Sequence, residues 1–406
     1  MRILVLDTIH GGKLIGEAFA ERGDRVDCVD VYRGEGTPDV ATVLTRSYDL
    51  VVSPVHLDPD HPLLHFSQAP VISHHEAVRQ LLGEKTPEIM VEITGARGKT
   101  TTAHALASLM GGPGILHTST GTYRFPEKKW LSKASITPGS VLAAAKMALG
   151  IKGWLIVEES LGITCAGMLG IITSDKDYLI AAGKKTALAT KIASAHHCKY
   201  LLLGKDIAAD CPGRVVKLED VASCEGTVCS LTVSGKDCMF SNPLLATDGY
   251  RLSLTLAAAA AMILGKDPHR LSSFQALPGR MSVSYDRGVL VVDNANSGTN
   301  LETTLEAARY ARKISGNEAI TLVIGQAEED GAVCEGFGLD QIQAAIDKIH
   351  PLNVVGVGAI PVQGTPESDI LAPHVSAYTK TLAEGYSSAL QITDQGSIVL
   401  AVKTWR

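Results

Sequence analysis

Thr94-Gly95-Ala96-Arg97-Gly98-Lys99-Thr100-Thr101-Thr102 is the stretch on which the fold turns. It follows an apolar run, Ile89-Met90-Val91-Glu92-Ile93, and precedes Ala103-His104-Ala105-Leu106-Ala107-Ser108-Leu109-Met110. Strand, glycine turn, Lys-Thr and helix is the layout of a nucleotide phosphate cradle. Glycines let backbone N–H groups approach phosphate oxygens, and the helix N-terminus adds its positive end. The spacing predicts that Gly95, Ala96, Arg97, Gly98, Lys99, Thr100 and Thr101 wrap the phosphates of ATP or GTP. Lys99 would reach the β- and γ-phosphates, and the Thr100 hydroxyl would join a Mg2+ shell. The usual G-x-x-x-x-G-K-[ST] loop has glycine where Ile93 stands; this chain carries the tighter G-x-x-G-K-T-T. The competing reading is an ordinary strand-to-helix turn with a surface lysine.

The bulk of the chain suits such a machine. Its 406 residues are enough for two or three domains. Hydrophobic residues make up 45% and charged ones 20%, as in globular proteins. Aromatics are only 5%, and Gly and Ala are abundant, which favours close helix–sheet packing. A net charge of -6 gives no reason to invoke nucleic acid or an anionic membrane. The apolar run 252–264 is too short to span a bilayer, and Met1 leads straight into a strand, so a cytoplasmic protein without a signal peptide is expected. Cys28, Cys165, Cys198, Cys211, Cys224, Cys229, Cys238 and Cys334 form no C-x-x-C pair, and reduced structural cysteines are expected.

Three blocks follow along the chain, with boundaries expected at 1–86, 87–278 and 279–406. In the first, Ile3-Leu4-Val5-Leu6, a helix near 14–22, Val26 to Val31, Asp49 to Pro54 and Val71-Ile72-Ser73 alternate as a parallel sheet requires. Asp30 closes the second strand, but the glycines after the first are not G-x-G-x-x-G, which argues against NAD. This block holds His10, His56, His61, His65, His74 and His75. Their spacing matches no metal set; they read as loop or capping residues, or as contacts to substrate carboxylates or to a metal carried by the ligand. The second block adds strands at 153–158 and 169–174, short alternating strands between 215 and 240, and a helix at 253–264. The third, from Pro278-Gly279-Arg280, has buried strands at 289–293, 320–325, 354–357 and 397–402, with helices near 301–313 and 340–348.

Ligands in open α/β sheets bind at strand ends. Glu158-Glu159-Ser160 ends one strand, and a carboxylate there can hold Mg2+ on a nucleotide. Glu158 is the first choice and Glu159 the alternate. Thr173 to Tyr178, followed by Lys184-Lys185, is a second polar strand end. Asp293-Asn294-Ala295-Asn296-Ser297 is a third, and Arg280 could reach nucleotide phosphates across a cleft.

Together these segments resemble the Mur ligase family and its folylpolyglutamate synthetase relatives. The resemblance rests on Gly95 to Thr101, Ile136-Thr137-Pro138, Val157 to Ser160, Gly279-Arg280, Asp293 to Ser297 and Gly396 to Lys403, and spans essentially the whole chain. It implies a three-domain α/β architecture: a Rossmann-like N-terminal substrate domain, a central P-loop ATPase domain and a Rossmann-like C-terminal domain. It implies ATP and Mg2+ as cofactors, with Thr100, Glu158 and Thr137 as metal residues and Arg280, Asp293 and Asn296 as nucleotide contacts. Lys99 and Glu158 would be catalytic, as would Lys185, or Lys184 as alternate, as the family's carbamoylated lysine. The family converts a substrate carboxylate into an acyl phosphate that a nucleophile then displaces. Ser174, Asp177 and Tyr178 stand where the family has Asn-x-x-x-Asp-His, so the histidine for a second Mg2+ is missing. These departures, the opening Leu4 to Gly12 and the histidine-rich first block resemble a specialised branch. In that branch the small-molecule carboxylate belongs to a nickel tetrapyrrole and the nucleophile is a carbon of the same molecule. An amide-forming ligase and a P-loop regulatory protein are the alternatives, and a monomer or small homo-oligomer is expected.

Overall fold

The computed structural model describes residues 1–32, 38–209, 211–327, 337–358 and 375–404, in two compact units, Met1–Phe274 and Gln275–Arg406. The first unit opens with a four-stranded sheet in the order Arg25–Val29, Arg2–Leu6, Leu50–Ser53, Val71–Ser73, parallel throughout. The alternation read from sequence is therefore present, with each strand within two residues of its expected bounds.

The Met90–Thr94 strand lies inside an eight-stranded sheet, between Leu169–Ile172 and Trp154–Glu158, parallel to both. Every residue of Met90–Thr94 and of Trp154–Glu158 is buried, because helices cover both faces of a parallel sheet. Beyond Gly114–Thr118 the sheet ends in two antiparallel strands, Gly121–Phe125 and Lys129–Ser132.

The two sheets share one core. Helices Gly12–Glu21, His74–Leu82 and Pro138–Gly150 pack on one another between them. Ile3, Val5 and Phe19 on one side meet Val141, Ala145, Leu155 and Val157 on the other. Burial of a side chain such as Phe19 contributes about 1.5–3 kcal/mol. The alanines of Pro138–Gly150 keep the helices close, so the first sheet is held firmly against the second.

The alternating segment after residue 215 folds as three antiparallel strands, Ala222–Glu225, Val228–Val233 and Lys236–Ser241. Cys229, Leu231 and Val233 face inward toward the helix Asp248–Ile263, which starts five residues earlier than expected. A 3-10 turn, Pro268–Ser273, follows this helix. The reduced state expected of the cysteines is corrected: Cys165 pairs with Cys198 and Cys224 with Cys229 as disulfides. The hairpin register places Cys224 opposite Cys229, a pairing that a search for zinc spacings does not see. Cys28, Cys211 and Cys238 are free, and Cys334 lies outside the described residues.

The second unit is a six-stranded sheet in the order Ser282–Asp286, Val289–Asp293, Ser397–Lys403, Ile320–Gln326, Asn353–Val357, Ala377–Thr379, parallel except for its first pair. Among the described residues no helix is long and apolar enough to cross a membrane.

Candidate active site

The phosphate loop leaves the central strand of the large sheet at its carboxyl end. Gly95 (φ +145°) and Gly98 (φ +83°) both occupy conformations that a side chain resists. A Cβ on Gly95 would lie 2.0 Å from Thr173 Oγ1. That hydroxyl in turn donates to the Arg97 carbonyl, and Arg97 N donates to Ser174 Oγ (3.3 Å). The Thr173-Ser174 strand end is thus the loop's wall. Ala96 and Arg97 are half-buried in the loop, and Thr101 is buried behind it.

The helix Lys99–Leu109 begins at once, and its N-cap, Gly98, brings no side chain to the first-turn amides. A helix start left open in this way suits an anion. Lys99 Nζ donates to the Gly95 carbonyl (2.9 Å) and stands 3.6 Å from Glu158 Oε1.

Glu158 ends the neighbouring strand and is buried. Its Oε2 accepts from Thr100 Oγ1 (2.8 Å) and from Ser119 N (3.1 Å), while Thr100 Oγ1 and Ser119 Oγ are 3.1 Å apart. Bonds to a charged group of this kind contribute about 1.5–3 kcal/mol each. Ser119 was missed in sequence; its signal is a short polar side chain directly after the strand Gly114–Thr118.

Glu159 points to the opposite side of the sheet. It is buried beside Glu92, whose carboxylate accepts from Thr164 Oγ1 and from Gly167 N (2.8 Å). Burial first, then the charge of Glu92, pushes the Glu159 carboxyl well above the ordinary range. A carboxyl kept neutral is a poor Mg2+ ligand, so strand alternation favours Glu158 over the alternate.

Thr137 starts the helix Pro138–Gly150 and bonds to Ser135 Oγ (3.0 Å) and Ser140 Oγ (3.3 Å). Ser160 N donates to the Ile136 carbonyl (2.9 Å), which holds this segment against the strand end that carries Glu158.

The expected lysines lie on a short hairpin. Lys185 is exposed in a two-residue strand paired with Leu179–Ile180. Lys184 bridges Asp58 (2.7 Å) and Asp60 (2.6 Å). The buried lysine nearby is Lys191, only 1% exposed, with Nζ 4.9 Å from the centre of the Tyr178 ring.

The histidines of the first sheet divide into three groups. His61 Nδ1 caps its own turn by accepting from Leu63 N, and His65 Nε2 bonds the Pro59 carbonyl. His74 and His75 open one helix and are buried: His74 Nε2 bonds the Leu6 carbonyl and His75 Nε2 the Ser160 carbonyl, both at 3.0 Å. They tie the carboxyl ends of the two sheets together. Burial pushes their pKa values down, to about 4 for His74 and about 3 for His75, so both stay neutral.

The third group sits at the carboxyl edge of the first sheet. Asp7 Oδ2 accepts from His10 Nδ1 (3.0 Å), and Asp7 Oδ1 from the N–H groups of Ile9 (2.7 Å) and His10 (3.1 Å). The bond to Asp7 raises the pKa of His10. Burial would push the Asp7 carboxyl up, but the bonds from His10 outweigh it and hold it below the ordinary value. The His56 ring stacks on Tyr32 (centroids 5.6 Å, 7°) and meets the edge of His10 (4.8 Å), and burial lowers its pKa to about 4.

In the second unit, Asn296 Nδ2 donates to the Gly279 carbonyl (2.7 Å) and its Oδ1 accepts from Gly298 N (2.8 Å). Its side chain therefore ties the 294–299 loop to the segment that carries Arg280. Asp293 Oδ1 accepts from Ala295 N (3.0 Å) at the end of its strand.

The family described as coenzyme F430 synthetase CfbE, C-terminal domain, matches residues 283–404. Across the full length, the chain is 31% identical to a coenzyme F(430) synthetase of Methanosarcina acetivorans, covering 100% of this chain and 99% of that one. Among solved structures it is similar to E. coli FolC in complex with ADP, with TM-score 0.61, 13% identity, and 82% and 90% of the two chains covered. It is also similar to MurF from Acinetobacter baumannii, with TM-score 0.57, 14% identity, and 96% and 94% covered. At such identities the structures speak to the fold, which is the three-domain α/β architecture of Mur ligases.

Proposed function

The chain belongs to the coenzyme F(430) synthetase family, and on that premise we propose that it uses ATP to close the final carbocyclic ring of a nickel tetrapyrrole. The observation that carries the ATP reading is the Lys99–Thr100–Ser119–Glu158 constellation beside an uncapped helix start.

The residues fit a Mg2+-nucleotide. Gly95 to Lys99 would bind the phosphates with loop amides and the Lys99 ammonium. Thr100 and Glu158 offer the hard oxygen ligands that Mg2+ prefers. Bound there, Mg2+ would offset charge on the transferring phosphoryl group. The chain's own part is positioning and electrostatics. A substrate carboxylate oxygen attacks the γ-phosphorus and ADP leaves. A carbon of the same substrate then attacks the acyl carbon, phosphate departs, and that carbon gives up its proton. The net change on the organic substrate is loss of one water.

The nucleotide contacts proposed for Arg280, Asp293 and Asn296, and the place of Thr137 near the metal, rest on the Mur resemblance. The carbamate-bearing lysine that it implies suits Lys191 better than Lys185. Lys191 is buried against the Tyr178 ring, whereas Lys185 is exposed.

An amide-forming ligase shares this fold, so the test must read the product. The protein is incubated with ATP, Mg2+ and the open-ring nickel precursor, and absorbance, mass and ADP are followed. Ring closure predicts one ADP per product and a mass lower by one water. No product from the precursor, with ADP release that depends on an added amine, would sink the carbon–carbon reading.

A further inference from the structure

Three strand ends of the first sheet converge on one point. Asp7 and His10 follow Arg2–Leu6, Tyr32 follows Arg25–Val29, and His56 follows Leu50–Ser53. The ligand atoms of Asp7, His10 and His56 lie within 4.8 Å of one another. Asp7 is 0% exposed and sits at φ +83°, a conformation its loop must maintain.

The hydrogen bonds fix what this cluster can offer. Both Asp7 oxygens are already taken, by two backbone N–H groups and by His10 Nδ1. Asp7 is therefore the orienting carboxylate behind a histidine rather than a free donor. With the proton held on Nδ1, His10 Nε2 presents its lone pair, the arrangement usual behind metal-ligating histidines. His56 makes ring contacts on two sides and no hydrogen bond among the described residues.

One or two imidazoles are too few to hold a resident metal, which takes at least three protein ligands in most sites. They are the right number for a metal whose equatorial positions a macrocycle already fills. Imidazole suits Ni(II).

The position agrees with that use. Gly11, next to His10, packs so tightly on the Thr137 helix start that a Cβ there would lie 2.6 Å from Thr137 Oγ1. Thr137 is in turn held beside the strand end bearing Glu158 through the Ser160-to-Ile136 bond. The His10 turn, the Thr137 helix start and the strand end bearing Glu158 thus form one packed series.

We propose that His10 Nε2 is the axial ligand of the substrate's metal, with Asp7 positioning the ring and His56 and Tyr32 forming the wall of the subsite. This rests on the nickel-tetrapyrrole reading above and names where that substrate is gripped.

The test is a titration of the full-length protein, without ATP, with the open-ring nickel precursor, recording absorption and magnetic susceptibility. Wild-type protein is expected to shift the macrocycle bands and to turn square-planar Ni(II) into a paramagnetic, axially ligated centre. His10→Ala should abolish the shift and weaken binding on the order of tenfold or more, and Asp7→Asn should lose on the order of tenfold. Added imidazole should restore the shift in His10→Ala. A nucleotide-induced rise in Tm, unchanged from wild type, shows that each variant is folded. Free Ni2+ alone should bind no tighter to wild type than to His10→Ala. A wild-type spectrum that does not move on binding, or a His10→Ala titration equal to wild type, overturns the axial ligand while leaving the ligase reading intact. Absence of any macrocycle binding, with another carboxylate supporting ADP release, overturns both.

Discussion

The phosphate loop and the histidine subsite are the same kind of place built in two ways. Both sit at the carboxyl edge of a parallel sheet, where side chains from successive strand ends can meet a ligand. The loop is one contiguous stretch whose work is done by backbone: Gly95 and Gly98 at positive φ and an open helix start. The subsite is assembled from three separate strand ends, and its work is done by side chains that find one another only after folding. A contiguous site announces itself by spacing. A dispersed one is visible only through topology.

The sharpest way to break the contrast is to remove the charged side chain that the contiguous site would place on the phosphates. Lys99→Ala should lower ATP-dependent turnover by roughly 100- to 1000-fold, as expected for loss of one preorganised charge at a transferring group. ADP release measures it, and an unchanged circular dichroism spectrum excludes unfolding. Turnover within a few-fold of wild type would mean that the loop is an ordinary turn.

The second test falls on the bracket that holds the two sites together. His75 is buried and neutral, with its pKa lowered to about 3 by burial. Its unfolded counterpart takes up a proton near pH 6.5, so below that pH the unfolded state binds more protons. Stability is then fully present above about pH 6.5 and falls as the pH drops toward the folded value. Between pH 6.5 and 4 the loss is on the order of 3 kcal/mol from this group. His74 and His56 act in the same direction. His75→Gln keeps a donor for the Ser160 carbonyl but cannot titrate, so its stability in urea should vary less with pH over that range. An acid slope as steep as wild type would remove His75 from the explanation.

What was legible in the sequence follows the same division. The strands Met90–Thr94 and Trp154–Glu158 and the loop between Gly95 and Thr100 were readable because each is local. The choice between Glu158 and Glu159 was not, since a one-residue change of register sends a side chain to the other face of a sheet. Only the folded strand shows Glu158 on Thr100 and Glu159 on Glu92. The six histidines were conspicuous by number, yet their three roles depend on partners up to 85 residues away, as with His75 and Ser160. The Cys224–Cys229 pair was hidden by a different cause: the hairpin register that opposes them is a tertiary fact.

The smallest expected effect separates two neighbouring lysines that spacing alone could not rank. Lys185 is exposed at the start of a helix, on a two-residue strand, and an exposed lysine without a buried partner contributes little to stability. Lys185→Ala should therefore stay within about twofold of wild-type turnover and within about 0.5 kcal/mol of its stability. Lys191, six positions on along the same segment, is out of water and against the Tyr178 ring. If a lysine of this segment serves the reaction, Lys191→Ala should lower turnover far more than Lys185→Ala does, and added bicarbonate should stimulate wild type but not Lys191→Ala. A Lys185→Ala protein that folds and binds nucleotide yet fails to turn over would reverse that ranking. It would place the exposed hairpin at the chemistry and make the sequence-adjacent reading the correct one.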